Sequence, residues 1–220
     1  LLAVRRGKGA RRGRVMLAAH MAEVGMILMQ EQEDGVYRFE AIGGLDVRYL
    51  AGKPVFAGSD KTPGVIGFKP IHLTSGDEVR QAISIDQLRI DLGAQNGKKV
   101  KPGDGATFVT SFARLGPSLR AKALDDRLGV ATLIELFKQA PDNIDLLAAF
   151  TVQEEVGLRG AKVAAYAFNP DLAIVLDCTP ANDLPAWDAS NCAGEDCLEN
   201  ARYNTRLGAG PAIYIADRVT

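Results

Sequence analysis

Apolar and polar positions follow two different patterns along the chain, and the change between them divides the sequence. Near the start, apolar runs at 15–19 and 24–29 flank His20, and each has the length of a short strand. From about residue 34 to residue 109, short apolar bursts alternate with turn signals such as Gly43-Gly44. This texture is typical of a small β-rich module.

Beyond this module the pattern predicts alternating helices and buried strands. Apolar residues at helical spacing predict a helix over 126–140, and a nearly continuous apolar run over 144–152 predicts a strand covered on both faces. A short helix over 160–168 and a further buried strand over 172–176 follow. These elements predict an α/β fold.

The order of the two patterns predicts a discontinuous domain. Residues 1–32 and 110–220 form a mixed-sheet α/β/α domain, which an insert at 33–109 interrupts. The insert is β-rich and resembles a barrel or a PDZ domain. The chain begins without Met and stops after an apolar segment, so we expect it to be truncated at both ends.

Composition excludes several classes of partner. The net charge is −1, with Lys+Arg 26 against Asp+Glu 27, so bulk charge favours neither nucleic acid nor a membrane surface. No apolar run reaches transmembrane length, and no signal peptide is recognisable. The cysteines Cys178, Cys192 and Cys197 are few and odd in number, which predicts free thiols in a reducing compartment. We therefore expect a cytoplasmic location.

Acidic residues stand where predicted strands end. Asp125-Asp126, Glu154-Glu155 and Asp177 have this placement, and His20 follows the first apolar run. Carboxyl ends of strands are where α/β proteins commonly bind ligands. These side chains therefore predict a shared metal site, whose mixed nitrogen and oxygen donors suit Zn, Co or Mn better than Ca.

A pair of ions about 3.5–4 Å apart requires a carboxylate between them, and Asp125, at the entry to a helix, suits that position. Asp126 either fixes the geometry of Asp125 or hydrogen-bonds a ligand. One of Glu154 and Glu155 binds metal, while the other is free as a general base. Simpler interpretations stand beside these: a helix cap for the aspartates, a solvated surface for the glutamates, and a hydrogen-bonded core residue for His20.

Several motifs together resemble one family. They are AAHMAEVG, KALDDRLGVATLIELFK, TVQEEVGLRGA, LAIVLDCTPANDLP and NTRLGAGPAI. In this order they resemble the tetrahedral aminopeptidases, di-metal glutamyl or deblocking aminopeptidases that are also labelled endoglucanase-like. The resemblance covers essentially the whole chain. It implies a β-rich dimerisation insert, two divalent metal ions per subunit and a homododecamer of dimers that removes N-terminal residues from short peptides.

The resemblance also implies a role for each site residue. Asp125 matches the bridging ligand, and its peptide bond to Asp126 resembles one that is cis in related peptidases. The outer ligands are His20 and Asp177 for one metal and Glu155 for the other. Glu154 matches the general base that takes a proton from the bridging water and passes it to the leaving amine.

The chain departs from the family pattern twice. Ala22 stands where the family has an Asp that orients the ligand histidine. The family's last metal-binding histidine lies beyond residue 220, and His72 matches no ligand. The departures leave two explanations open, a fragment of a peptidase or a shortened, inactive relative that serves as an assembly or binding protein.

A glycosidase that uses Glu154 and Asp177 as an acid/base pair is a third hypothesis. It predicts aromatic residues that stack on sugars near the site. Aromatic residues make up only 6% of the chain, and the site region has few, so composition disfavours this hypothesis.

Overall fold

The computed structural model describes residues 1–9, 12–76, 82–181 and 205–214. The chain forms two compact units, Leu1–Asp177 and Cys178–Thr220. In the second unit, the Thr205 hydroxyl donates to the Pro180 carbonyl over 2.6 Å. Cys192 and Cys197 lie outside the described residues, so their predicted state stays a prediction.

All the helices and strands described below lie in the first unit. In chain order they are β1 (Leu2–Arg5), β2 (Gly13–His20), β3 (Gly25–Glu33), β4 (Val36–Ile42), β5 (Pro54–Ala57), β6 (Thr62–Gly67), β7 (Arg89–Asp91), β8 (Gly105–Phe108), β9 (Ala113–Leu115), β10 (Ser118–Arg120), α1 (Leu124–Lys138), β11 (Ile144–Thr151), α2 (Arg159–Phe168) and β12 (Leu172–Val175).

A four-stranded mixed sheet forms the centre of the first unit. Its order is β1-β11-β2-β12. Strands β2, β11 and β12 are parallel, and β1 runs antiparallel to β11. The two middle strands have continuous apolar runs because both of their faces are covered, as a parallel strand requires.

Helices cover the sheet on its two faces. Helix α1 packs Leu133 against a cluster that includes Leu17 and Leu146. Helix α2 packs Phe168 against the cluster on the opposite face, which includes Met16. Alternate side chains of a strand point to opposite faces, so the neighbours Met16 and Leu17 contribute to different clusters. The predicted α/β/α architecture is confirmed.

The β-rich insert is a closed barrel. Its strands are joined in the order β3-β4-β7-β6-β5-β8, and β8 pairs with β3 to close it. The interior is apolar, and Tyr37 is fully buried there. Its single hydroxyl proton is shared between the carbonyls of Gly97 and Val100, so the buried oxygen has hydrogen-bond partners. Of the two architectures expected for the insert, the structure adopts the barrel.

Strand β3 belongs to the barrel and not to the mixed sheet. The sequence analysis places the insert boundary at residue 33, whereas the hydrogen bonds of β3 to β4 and β8 bring the barrel's start back to Gly25. The sequence could not indicate this pairing, because an apolar run predicts a strand but carries no information about which strand it pairs with.

Strand β12 is less buried than its sequence predicts. It is a continuous apolar run, which predicts coverage of both faces. Leu172, Ile174 and Val175 are nevertheless exposed. Among the described residues β12 pairs with β2 alone, which places it at the edge of the sheet. No helix in the described ranges is both long and apolar enough to cross a bilayer.

Candidate metal centre

The parallel strands deliver acidic and imidazole side chains to one edge of the sheet. His20 is the last residue of β2, Glu154 and Glu155 follow β11, and Asp177 follows β12. Because β2, β11 and β12 are parallel, their carboxyl ends lie at the same edge. Helix α1 brings Asp125 to this edge from the face on which it packs.

Three carboxylates surround one nitrogen of His20. Its Nε2 lies 3.2 Å from Asp125 Oδ1, 3.7 Å from Asp177 Oδ1 and 3.9 Å from Glu154 Oε2. Glu155 completes the group, because ligand atoms of His20, Glu154 and Glu155 lie within 4.8 Å of one another. The structure therefore brings together the five side chains to which the resemblance assigns metal-binding or catalytic roles.

The His20 ring is fixed by a backbone carbonyl. Its Nδ1 lies 3.1 Å from the carbonyl oxygen of Ala22. A carbonyl only accepts hydrogen bonds, so Nδ1 carries the proton and donates. In neutral imidazole the lone pair of Nε2 then faces the carboxylates, as a metal ligand requires. Ala22, where the resemblance implies an orienting Asp, thus supplies a neutral acceptor from its main chain.

Asp126 is a structural residue beside the site. Its side chain is fully buried. Oδ2 accepts from the His20 amide and Oδ1 from the Gly129 amide, both over 3.0 Å. The second bond spans three residues, as an N-cap does. The capping role therefore belongs to Asp126, and Asp125 remains available to a ligand.

The Asp125–Asp126 peptide bond is cis, as the resemblance implies. The backbone of both residues departs from helical geometry, so the regular part of α1 begins after them. The two neighbouring carboxylates therefore have different roles. Asp125 lies 3.2 Å from His20 Nε2, and Asp126 binds main-chain amides.

The carboxylates oppose one another's ionisation. Burial, followed by the negative charge of Glu154, raises the pKa of Glu155. Partial burial, followed by the charge of Asp177, raises the pKa of Asp125, although 60% of that side chain remains accessible. A divalent cation relieves such repulsion, and one imidazole with several carboxylates is a donor set that Zn, Co and Mn accept. The residues present therefore fit a metal centre.

The barrel reaches the site through Gly43, which follows β4. A Cβ atom on Gly43 would lie 2.9 Å from Glu155 Oε2 and 2.9 Å from Val24 Cγ1. The φ of Gly43 is +88°, a conformation that side chains rarely adopt. The sequence analysis named Gly43 only as part of a turn signal. That Glu155 and Val24 pack against its backbone cannot be predicted from the sequence, because a glycine in a turn and a glycine required by close packing look the same there.

Comparison with known proteins agrees with this geometry. The sequence model described as M42 glutamyl aminopeptidase matches residues 1–220. The chain belongs to the M42 family. The glutamyl aminopeptidase of Lactococcus lactis subsp. cremoris is 33% identical over 218 residues, which cover 93% of this chain and 57% of that protein. The chain therefore spans little more than half the length of this relative.

Solved structures show the same M42 fold. An aminopeptidase from the archaeon Desulfurococcus kamchatkensis matches with a TM-score of 0.80 at 34% identity, over 96% of this chain and 57% of that one. The TET1 peptidase of Pyrococcus horikoshii, which assembles into a tetrahedron or a large octahedral shell, matches with a TM-score of 0.68 at 35% identity. That match covers 84% of this chain and 60% of the other. The resemblance to the tetrahedral aminopeptidases is confirmed.

Proposed function

We propose that this M42 chain supplies the core of a metal-dependent aminopeptidase that removes N-terminal residues from short peptides. The observation that carries the proposal is the approach of three carboxylates to Nε2 of His20, at distances between 3.2 and 3.9 Å. Family membership supports the same reaction, since the relatives described above are named as aminopeptidases or as a peptidase.

The proposed centre takes two divalent ions. His20 and Asp177 would hold one, Glu155 the other, and Asp125 both. When bound, such ions polarise the scissile carbonyl and make water a stronger nucleophile at neutral pH. The accessible part of the Asp125 side chain and the orientation of His20 by Ala22 support this assignment.

Glu154 is the proposed general base. Its side chain is 28% exposed, so it reaches solvent, and its Oε2 lies 3.9 Å from His20 Nε2. Glu154 would accept a proton from the attacking water as the oxygen adds to the peptide carbonyl carbon. It would return that proton to the amine as the C–N bond breaks.

The first test measures metal content and hydrolysis of an aminoacyl-anilide panel by the full-length protein. We expect turnover that depends on Zn, Co or Mn. A Glu154→Gln variant keeps the size of the side chain but loses the base, so kcat falls about 10²- to 10⁴-fold while metal content is retained. Glu40→Gln, on the exposed side of β4, serves as the matched control.

The outcomes separate the hypotheses. Absence of turnover by the metal-loaded full-length protein would overturn the proposal and favour an assembly or binding protein. The proposal includes self-association through the barrel, which the assembly of the P. horikoshii relative supports. Light scattering on the same sample measures the oligomeric state, and a full-length protein that is monomeric would contradict the proposed self-association.

A further inference from the structure

A cavity of about 820 Å³ lies where the barrel faces the segments that flank the candidate site. Most of its wall comes from β3, β5 and β8 and the residues after them. Met26, Ile42, Phe56 and Phe108 give it an apolar lining. A mostly apolar cavity of this size with a few charged groups is typical of small-ligand sites.

The cavity is next to the carboxylate group. Glu23 and Val24, which line it, follow His20 closely in the chain, and Lys122 closely precedes Asp125. Val24 Cγ1 and Glu155 Oε2 both lie 2.9 Å from the position that a Cβ atom of Gly43 would take, so the lining of the cavity and the carboxylate group are close neighbours. A molecule that extends from the site therefore meets this cavity.

Among the described residues, one cation of the lining has no ion-pair partner. Glu23 forms an ion pair with Lys122 and accepts a hydrogen bond from the Thr107 hydroxyl. Lys61 is the remaining charged residue of the lining. It is exposed, and in the described part of the chain it forms no ion pair. The lining therefore complements a single negative charge.

The backbone of Lys61 adds a second observation. Its φ is +53° in the turn between β5 and β6, and its amide donates to the Gly58 carbonyl over 3.2 Å. A left-handed conformation costs a residue other than glycine about 1–2 kcal/mol. Such strain points to a use for the side chain, since glycine meets the needs of the turn at lower cost.

We propose that this cavity binds the C-terminal part of a short peptide substrate, whose terminal carboxylate is held by Lys61. The inference rests on the proposed function, because the peptide's N-terminus is then at the carboxylate group. The bond to be cut lies beside the metal ligands, and the residues beyond it enter the apolar cavity. The preferred substrate is a short peptide with a free C-terminus.

The test compares a tripeptide with the same tripeptide amidated at its C-terminus. Calorimetry on metal-loaded, full-length protein carrying Glu154→Gln measures binding without turnover, and kcat/KM is measured on the protein without that change. We expect the free acid to bind and react about fivefold better than the amide, the effect of one accessible ion pair. Lys61→Met keeps most of the apolar stem and should remove that preference.

Two further variants make the result decisive. Lys61→Gly is compatible with the positive φ of the turn, so it separates loss of charge from failure to fold, and it should also remove the preference. Lys99→Met, at an exposed barrel lysine outside the cavity, should keep it. Equal binding of acid and amide, or an unchanged preference in both Lys61 variants, would overturn the inference. A failure of the proposed function shows instead as absent anilide turnover.

Discussion

At the scale of single residues, His20 is held by main-chain and side-chain groups that sequence reasoning assigns only in part. Its amide donates to Asp126 and its Nδ1 donates to the Ala22 carbonyl. The sequence analysis singled out His20 and its acidic neighbours because they follow predicted strands, whose carboxyl ends are where α/β proteins commonly bind ligands. It could not find the Ala22 carbonyl, since every residue has one and only the fold decides where it points.

Asp126→Asn tests how far the position of His20 depends on this carboxylate. An amide offers one acceptor oxygen, so one of the two backbone N–H donors would face an NH₂ group. We expect metal affinity to fall about 10- to 100-fold, as for other groups that orient a ligand. The free energy of unfolding of the metal-free protein should fall by about 1–3 kcal/mol. Metal calorimetry and denaturant titration measure the two effects.

Glu135→Gln is the control for this substitution. It makes the same chemical change on the exposed side of α1, where Glu135 forms a surface ion pair with Lys138. Both quantities should stay close to those of the unsubstituted protein. An Asp126→Asn variant with unchanged metal affinity would show that the amide contact does not position His20.

At the scale of elements, periodicity located α1, α2 and the strands β2, β3, β11 and β12, and indicated the remaining barrel strands only as a β-rich module. It succeeded for α1 and β11 because each is long and has one clear pattern of burial. It could not assign β3 to the barrel, because hydrogen-bond partners follow from topology. It overstated the burial of β12, because an apolar run indicates what a strand can bury and not what covers it.

The packing of α1 on the sheet gives a stability prediction. Leu133 is fully buried in the cluster that joins α1 to β2 and β11. Leu133→Ala removes buried methyl groups and leaves a cavity, so the free energy of unfolding should fall by about 2–5 kcal/mol. Leu136→Ala, on the same helix but 43% exposed, should cost less than about 1 kcal/mol. Denaturant titrations of both variants measure the difference, and equal losses would contradict the packing described.

At the scale of the whole molecule, ion pairs join the first residues of the chain to the start of β11. Asp145 accepts from the Gly7 amide and the Arg6 guanidinium, both over 2.9 Å, and Arg12 lies 3.2 Å away. The Gly7 hydrogen bond, followed by that of Arg6, lowers the pKa of Asp145. Arg6 and Arg12 near the start of the chain thus have an acidic partner within the chain.

This lowered pKa predicts how stability depends on pH. The folded state prefers the ionised carboxylate, so its contribution is complete above the pKa of the unfolded chain, about 4 for Asp. The contribution is lost as pH falls through the lower folded value. Asp145→Asn should therefore lower Tm at pH 7, and the difference from the unsubstituted protein should shrink below about pH 4. Thermal melts across this range measure it, and a difference independent of pH would contradict the linkage.

The closure of the barrel has a consequence for whether the insert can be replaced by another module. Met26 and Ile27 of its first strand pair with Ala106 and Gly105 of its last, so the chain leaves the barrel beside the point where it enters. The two ends of the insert are therefore close together, and they connect to the mixed sheet over a short distance, whatever the length of chain inside the barrel. A different module with adjoining ends could replace the barrel and reshape one wall of the cavity, while His20 and Asp125 kept their scaffold.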